Sequence, residues 1–283
     1  MDLDDDFRNI NKVNPAAQYF QQGTRERHIL ERIVQDVNHL VVTTSPLANR
    51  MRSFRTTKPE NTTTIMPNFI DTTYWPTIRP PKKARKATRI VYMGSSHHHQ
   101  DLYSTGFTKA VMRLLDVYPQ LEFHCVGMPP INPKDVGPDG EWQQFRHERL
   151  FYYEGANMGE GYGELYKSMR ADIYCAPLEA SYFNAAKSSI KHQEAGLSGG
   201  AFIASDVTPY KEVVRQNDNG VLVSNTRDNW YKALADLIEN PIKRRHLAQA
   251  NQADVLERWA LDKNVPKYAE YFERILAKES ANV

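Results

Sequence analysis

Cysteine is scarce, with two in 283 residues, Cys125 and Cys175. Both sit in apolar, strand-like runs, which suits buried thiols of a reducing compartment and excludes a disulfide scaffold. Long apolar runs are missing as well, and none approaches the ~20 residues a membrane-spanning helix needs. No charge of one sign dominates. Lys+Arg 36 against Asp+Glu 34 leaves +2, so no global field selects nucleic acid or a membrane surface as partner. The opening Met1-Asp2-Leu3-Asp4-Asp5-Asp6 is acidic where a secretory leader is basic and then apolar. The cytoplasm is the expected compartment. There is no internal repeat and no low-complexity tract. What remains is ordinary for a globular chain, 41% hydrophobic and 25% charged, long enough for one large or two modest domains.

Apolar residues Ile29, Ile33, Val34 and Val37 recur at helical spacing between Arg25 and Leu40. Leu40-Val41-Val42-Thr43 then reads as a buried strand, Ser45-Pro46 opens a helix to Phe54, and Thr62–Met66 reads as a second strand. This alternation predicts a parallel α/β sheet. From Tyr74 to Thr88 the pattern breaks. Pro76, Pro80 and Pro81 alternate with Lys82, Lys83, Arg85 and Lys86, the chemistry of a solvated linker, although such a basic run also suits phosphate. A second series follows, with strands expected at Arg89–Met93, Leu121–Val126, Leu150–Tyr153, Asp172–Ala176, Ala201–Ser205 and Gly220–Val223. Helices fit at Leu102–Val117, Glu164–Met169, Lys187–Ala195, Tyr210–Arg215, Asn229–Ile238, Ile242–Trp259 and Asn264–Lys278. The predicted organisation is a partial N-terminal α/β domain over 1–75, a basic Pro-rich linker over 76–88, a complete doubly wound domain over 89–260, and a C-terminal helix over 261–283 returning towards the N-terminal domain. In a doubly wound sheet, ligands sit at the carboxyl ends of the strands.

The loop after the strand ending at Ala176 lies at that edge. A helix starting near Lys187 puts Lys187, Lys191 and Glu194 on one face, at i, i+4 and i+7. The free N–H groups of its first turn, with Ser188 and Ser189, form an anion site, and a carboxylate further along suits the hydroxyl pair of a ribose. The same spacing also fits a surface helix with a Lys–Glu pair. A second phosphate candidate is the turn Gly94-Ser95-Ser96-His97-His98-His99-Gln100-Asp101, where Gly94 admits close backbone approach and hydroxyls and amides can donate. Three adjacent histidines do not readily converge on one ion, and no Cys or carboxylate cluster completes a tetrahedral set, so no metal is expected. Gly159-Glu160-Gly161-Tyr162-Gly163 lacks the dinucleotide spacing and reads as a flexible loop.

Phe183, Asn184, Lys187, Ser188, Lys191 and Glu194 meet every fixed position of a Phe-Asn-x-x-Lys-Ser-x-x-Lys-x-x-Glu pattern. Gly199–Tyr210, Asp218–Val223, Trp230 and Arg244-Arg245 extend the match. Over nearly all of 89–278 the chain resembles the family 4 (group 1) retaining glycosyltransferases of the two-domain GT-B type. The resemblance implies transfer of a sugar from a nucleoside diphosphate donor to a hydroxyl acceptor, with retention and without a cofactor. It places Glu194 on the donor ribose and Lys187 on the leaving diphosphate. Gly94, Ser95, Ser96, His97, Phe183, Asn184, Ser188 and Lys191 fill out the implied donor site, and this branch carries a Gly-Ser/Thr-x-x-His-x-x-Asp-like turn at Gly94. Many relatives have a second Glu where this chain has Ala186; Asn184 or backbone amides then substitute, with Glu179 a further candidate. Asp2–Asp6 resembles an acidic turn lining the acceptor side, making Asp5 a candidate catalytic residue; it also reads as an acidic helix N-terminus or as the metal-holding Asp-x-Asp of GT-A enzymes. Against a domain scale of roughly 100–200 residues, about 75 positions make a short acceptor side. A sheet so shortened has an unpaired edge and an uncovered apolar face. The alternative expectation is therefore a catalytically weak nucleotide-sugar-binding subunit that oligomerises or needs a complementing chain. Nucleic acid enters only as an acceptor for glycosylation.

Overall fold

The computed structural model describes residues 1–10, 14–55, 62–82, 85–94, 98–127, 147–153 and 161–281. Its N-terminal unit is built from β1 (Asp2–Leu3), α1 (Arg25–Asp36), β2 (His39–Val42), α2 (Ser45–Phe54) and β3 (Thr62–Ile65). The three strands are parallel, in the order β1-β2-β3. Thr24 and Thr44 cap α1 and α2 through their side-chain oxygens, and Pro46 fits the first turn of α2, where its missing N–H costs nothing. Leu40 and Val42 point into one cluster with Val34, Leu47 and Met51, while Val41 points the other way. Ile29 and Ile33 stay exposed, so the apolar stripe of α1 is only partly used.

The second unit comprises β4 (Thr88–Met93), α3 (His99–Ser104), α4 (Phe107–Val117), β5 (Leu121–Val126), β6 (Leu150–Tyr153), α5 (Gly161–Met169), β7 (Ile173–Ala176), α6 (Ile190–Ser198), β8 (Ala201–Ser205), β9 (Val221–Val223), α7 (Arg227–Glu239) and α8 (Pro241–Arg258). Its six parallel strands run in the order β6-β5-β4-β7-β8-β9. Alternate residues feed two cores. Ile90, Tyr92, Phe123 and Ile173 meet α4 and α7, while Val91, Met93, Tyr174 and Phe202 meet α5, α6 and α8. Burial on both faces explains why the inner strands β4, β5, β7 and β8 are near-continuous apolar runs. Strand order reverses between β4 and β7, which opens a crevice at their carboxyl ends.

α9 (Leu261–Ala281) joins the units. Tyr271 packs with Val41 and Met66, and the Tyr268 hydroxyl donates to the Pro67 carbonyl at 2.6 Å. The sheet face expected to be bare is therefore covered, because this helix crosses beneath it. The segment expected to be a solvated linker is also strapped down. Ile78 N–H donates to Leu197 O, Gln252 Nε2 donates to Ile78 O, and Arg245 donates to Pro81 O and Lys82 O. The helix expected over Leu102–Val117 is two, since Gly106 turns left-handed (φ 77°) between α3 and α4. Tyr210–Arg215 shortens to a 3-10 turn at Tyr210–Glu212. Gly161-Tyr162-Gly163 opens α5 instead of a loop; Gly159 and Glu160 lie outside the described residues. Among the described residues no helix is long and apolar enough to cross a membrane.

Candidate active site

The loop after β7 is held at both ends. Leu178 N–H donates to Ser205 Oγ, and Asn225 Nδ2 donates to Leu178 O. A 3-10 turn at Asn184–Ala186 follows, closed by Lys187 N–H donating to Asn184 O. That bond commits Lys187 to extended backbone (φ −67°, ψ 157°), and α6 starts only at Ile190. Lys187 is thus not on a helix face with Lys191 and Glu194, as the spacing suggested. Its ammonium instead lies 4.9 Å from the centre of the Phe183 ring and 3.8 Å from Asp5 Oδ1 across the cleft.

On α6 itself, Lys191 Nζ donates to Glu194 Oε2 at 2.9 Å, and the buried Tyr174 hydroxyl donates to the same oxygen at 2.7 Å. Burial, reinforced by the Glu194 charge, holds the Tyr174 phenol well above its ordinary range, so it stays a donor. Glu194 is buried, and among the described residues its Oε1 receives no hydrogen bond. Tyr162, Tyr166 and Trp75 form an aromatic wall close by, with Trp75 edge-on to both tyrosines. Ser188 Oγ accepts from Asn68 Nδ2, which also bonds Asp4 Oδ1, and Gln193 Nε2 donates to Asn68 O.

Across the crevice, Gly94 N–H donates to Val126 O at the end of β4. Ser95, Ser96 and His97 lie outside the described residues. The residues the geometry singles out here are His98 and Asp101, the His and Asp of the Gly-Ser/Thr-x-x-His-x-x-Asp-like turn, which composition and periodicity alone do not mark. The signal available was the His-x-x-Asp spacing itself, which sets the two side chains at i, i+3. His98 Nδ1 lies 2.9 Å from Asp101 Oδ2, while Asp101 Oδ1 accepts from Glu179 N–H (2.8 Å) and Asn184 Nδ2 (3.0 Å). Asn184 therefore serves as a brace between loops. Glu179 is pushed above the usual carboxylate range by burial and by Asp101.

The N-terminal acidic run supplies the opposite wall. Asp6 is buried and accepts from Arg50 (2.8 Å) and Asn9 (2.9 Å), and the Arg50 guanidinium stacks 3.6 Å over the Tyr182 ring. Asp6 stands at the N-terminus of a three-residue 3-10 turn (Phe7–Asn9) and makes no side-chain cap on it. Asp5 is 53% exposed and faces Lys187. Ala186 is buried in the N-terminal core beside Phe7 and Leu47, and its carbonyl accepts from Thr44 Oγ1 at 2.7 Å. The position where the resemblance implies a carboxylate is sealed here against the facing unit. Among the described residues no three His, Cys, Asp or Glu side chains are placed to share a metal ion. A pocket between the units is lined by Thr44, Ser45, Asn68, Ser188, Ser189 and Gln193 among others.

A family model described as glycosyl transferases group 1 matches residues 105–254, more than half of the 283. No curated protein matches the chain in sequence. Among solved structures, sucrose-phosphate synthase from Thermosynechococcus elongatus superposes with a TM-score of 0.67 at 15% identity, over 94% of this chain and 64% of that one. Alr3699/HepE from Anabaena, solved with UDP and glucose, gives 0.66 at 14% identity, over 94% and 70%. The C-terminal domain of LpcC, a group 1 family protein from Francisella tularensis, gives 0.51 at 17% identity, over 68% and 99%. At these identities the likeness is one of fold, and the chain spans less than two-thirds of the synthase.

Proposed function

The chain belongs to the group 1 glycosyl transferases, and we propose that it moves a sugar from a nucleoside diphosphate donor to a hydroxyl acceptor. Its fold is a partial GT-B one, complete in the six-stranded unit. One observation carries the proposal. Glu194 is buried yet, among the described residues, keeps one oxygen uncommitted, and Lys191 and Lys187 stand on the same crevice wall, at the switch point of the sheet. A ribose hydroxyl supplies the donor that Glu194 Oε1 lacks, and Lys187 then meets the diphosphate. As the glycosidic bond breaks, charge develops on the leaving phosphate, and a cation placed there in advance lowers the barrier. Asp5, 3.8 Å from Lys187 on the facing unit, marks where the acceptor hydroxyl approaches. Closing the two units excludes water and holds acceptor against donor. Retention of configuration and independence of metal belong to the proposal on the strength of the family likeness.

A second reading keeps donor binding in this chain and assigns part of the acceptor side to a partner chain or a second copy. It is favoured by α1, where the apolar Ile29 and Ile33 stay exposed. Donor turnover by wild type and Lys187→Ala, with EDTA present, tests the proposal. Turnover should survive EDTA and should fall more in the variant than donor affinity does. A variant changed only in affinity contradicts the leaving-group role. Activity lost to EDTA and restored by manganese contradicts the metal-free chemistry. Turnover that appears only on adding a second chain selects the second reading.

A further inference from the structure

His98 and Asp101 have no part in the reading above, yet they sit in the middle of the crevice. Asp101 is 4% exposed and clamps loops from both sides of the switch point through Glu179 N–H and Asn184 Nδ2. Its second oxygen takes His98 Nδ1 at 2.9 Å, which fixes the ring. Among the described residues the ring's one polar contact is through Nδ1, so Nε2 is the nitrogen left for a ligand. The charged groups facing the imidazole are Asp101 on its own turn, Lys187 on the loop after β7 and Lys191 on α6. Burial comes first in holding the ring neutral, the two lysines add to it, and Asp101 opposes them.

A diphosphate brings negative charge to the place where those lysines act. We propose that His98 takes up a proton when the nucleoside diphosphate sugar binds, and donates the new Nε2–H to a phosphate oxygen. This deepens the donor reading and rests on it. In the empty crevice the ring is neutral, with Nδ1–H held by Asp101. On binding, Nε2 gains one proton from solvent and the ring becomes an imidazolium, balanced by the diphosphate and by Asp101. The proton leaves again when the product diphosphate departs. The site thus has three cations only when an anion is there to meet them, and avoids three like charges in an empty cleft. A histidine suits this role because its ordinary protonation range lies near neutrality.

The test is calorimetry of the full chain with UDP-glucose, GDP-mannose and ADP-glucose near pH 7, in buffers of low and high ionisation enthalpy. The diphosphate of a nucleotide sugar does not titrate near neutrality, so a proton taken up belongs to the protein. Wild type should take up about half to one proton per donor bound, and its affinity should weaken as pH rises. His98→Gln should bind the same donor roughly 3- to 30-fold more weakly, with uptake near zero and affinity flat with pH. Wild-type binding without proton uptake, or uptake that persists in His98→Gln, overturns the inference and leaves the donor reading standing. Failure of every nucleotide sugar to bind overturns both.

Discussion

A carboxylate as deeply buried as Glu194 needs partners, and both that it has among the described residues, Tyr174 and Lys191, act on Oε2. The arrangement leaves Oε1 as the ligand-facing atom. Glu194→Gln preserves an oxygen for the Tyr174 hydroxyl while removing the charge. It should keep the fold and lose about one to two orders of magnitude in donor affinity, ~1.5–3 kcal/mol for a charge-assisted bond. Glu194→Ala should also lose stability, because it strands the Tyr174 hydroxyl in the core. Calorimetry and thermal melts on the two variants separate these effects, and an unchanged dissociation constant in the Gln variant contradicts the ribose assignment. At this scale the sequence pattern names Asn184, Ser188 and Glu194 but not their work. The partners Asp101, Asn68 and Tyr174 are 83, 120 and 20 positions away, and spacing carries no information about side chains so remote.

Strands and helices were not equally legible. β8, buried at every position, falls where its apolar run lies, because a strand buried on both faces has nothing polar to blur its ends. Helix starts depend on which backbone groups neighbouring turns have already used. α6 begins three residues after Lys187 because the 3-10 turn takes the Lys187 N–H, and nothing in the Lys187-x-x-x-Lys191 spacing announces this. The strap over 76–82 was read as solvated for a similar reason, since its anchors Leu197, Arg245 and Gln252 lie far along the chain. Gly199, which ends α6, couples the two problems. Its φ is 73°, and a Cβ there would stand 2.5 Å from the Ile78 carbonyl oxygen. Gly199→Ala should therefore cost more than the ~1 kcal/mol of the left-handed backbone alone, on the order of 2–4 kcal/mol, and lower the melting temperature by several degrees. A melt unchanged from wild type would show that the strap yields without loss.

The second unit is held together by groups buried well away from the crevice. His192, fully buried, links α6 to α8 and to the turn at 215–219. Its Nε2 lies 3.9 Å from Asp254 Oδ2 and 3.4 Å from Asn219 Nδ2, and Arg215 and Arg258 hold Asp254 Oδ1. Burial lowers the His192 pKa to about 4 against the ordinary 6.5. Between those values the unfolded chain binds the extra proton, so stability should fall as pH drops from 6.5 towards 4, by up to about 3 kcal/mol. Denaturation midpoints at pH 7, 6 and 5 should show this slope in wild type and a flatter one in His192→Gln, whatever the variant's baseline; equal slopes would contradict it. For the molecule as a whole, the central claim is that the crevice between β4 and β7 holds a nucleoside diphosphate sugar. A thermal-shift screen against UDP-, GDP-, ADP- and dTDP-sugars, with wild type and Glu194→Gln side by side, tests this most directly. One nucleotide should raise the wild-type melting temperature by several degrees, since ligand at about 100 times its dissociation constant adds ~2.7 kcal/mol, and the same concentration should move the variant much less. No shift with any nucleotide sugar, or equal shifts in both proteins, would contradict the account.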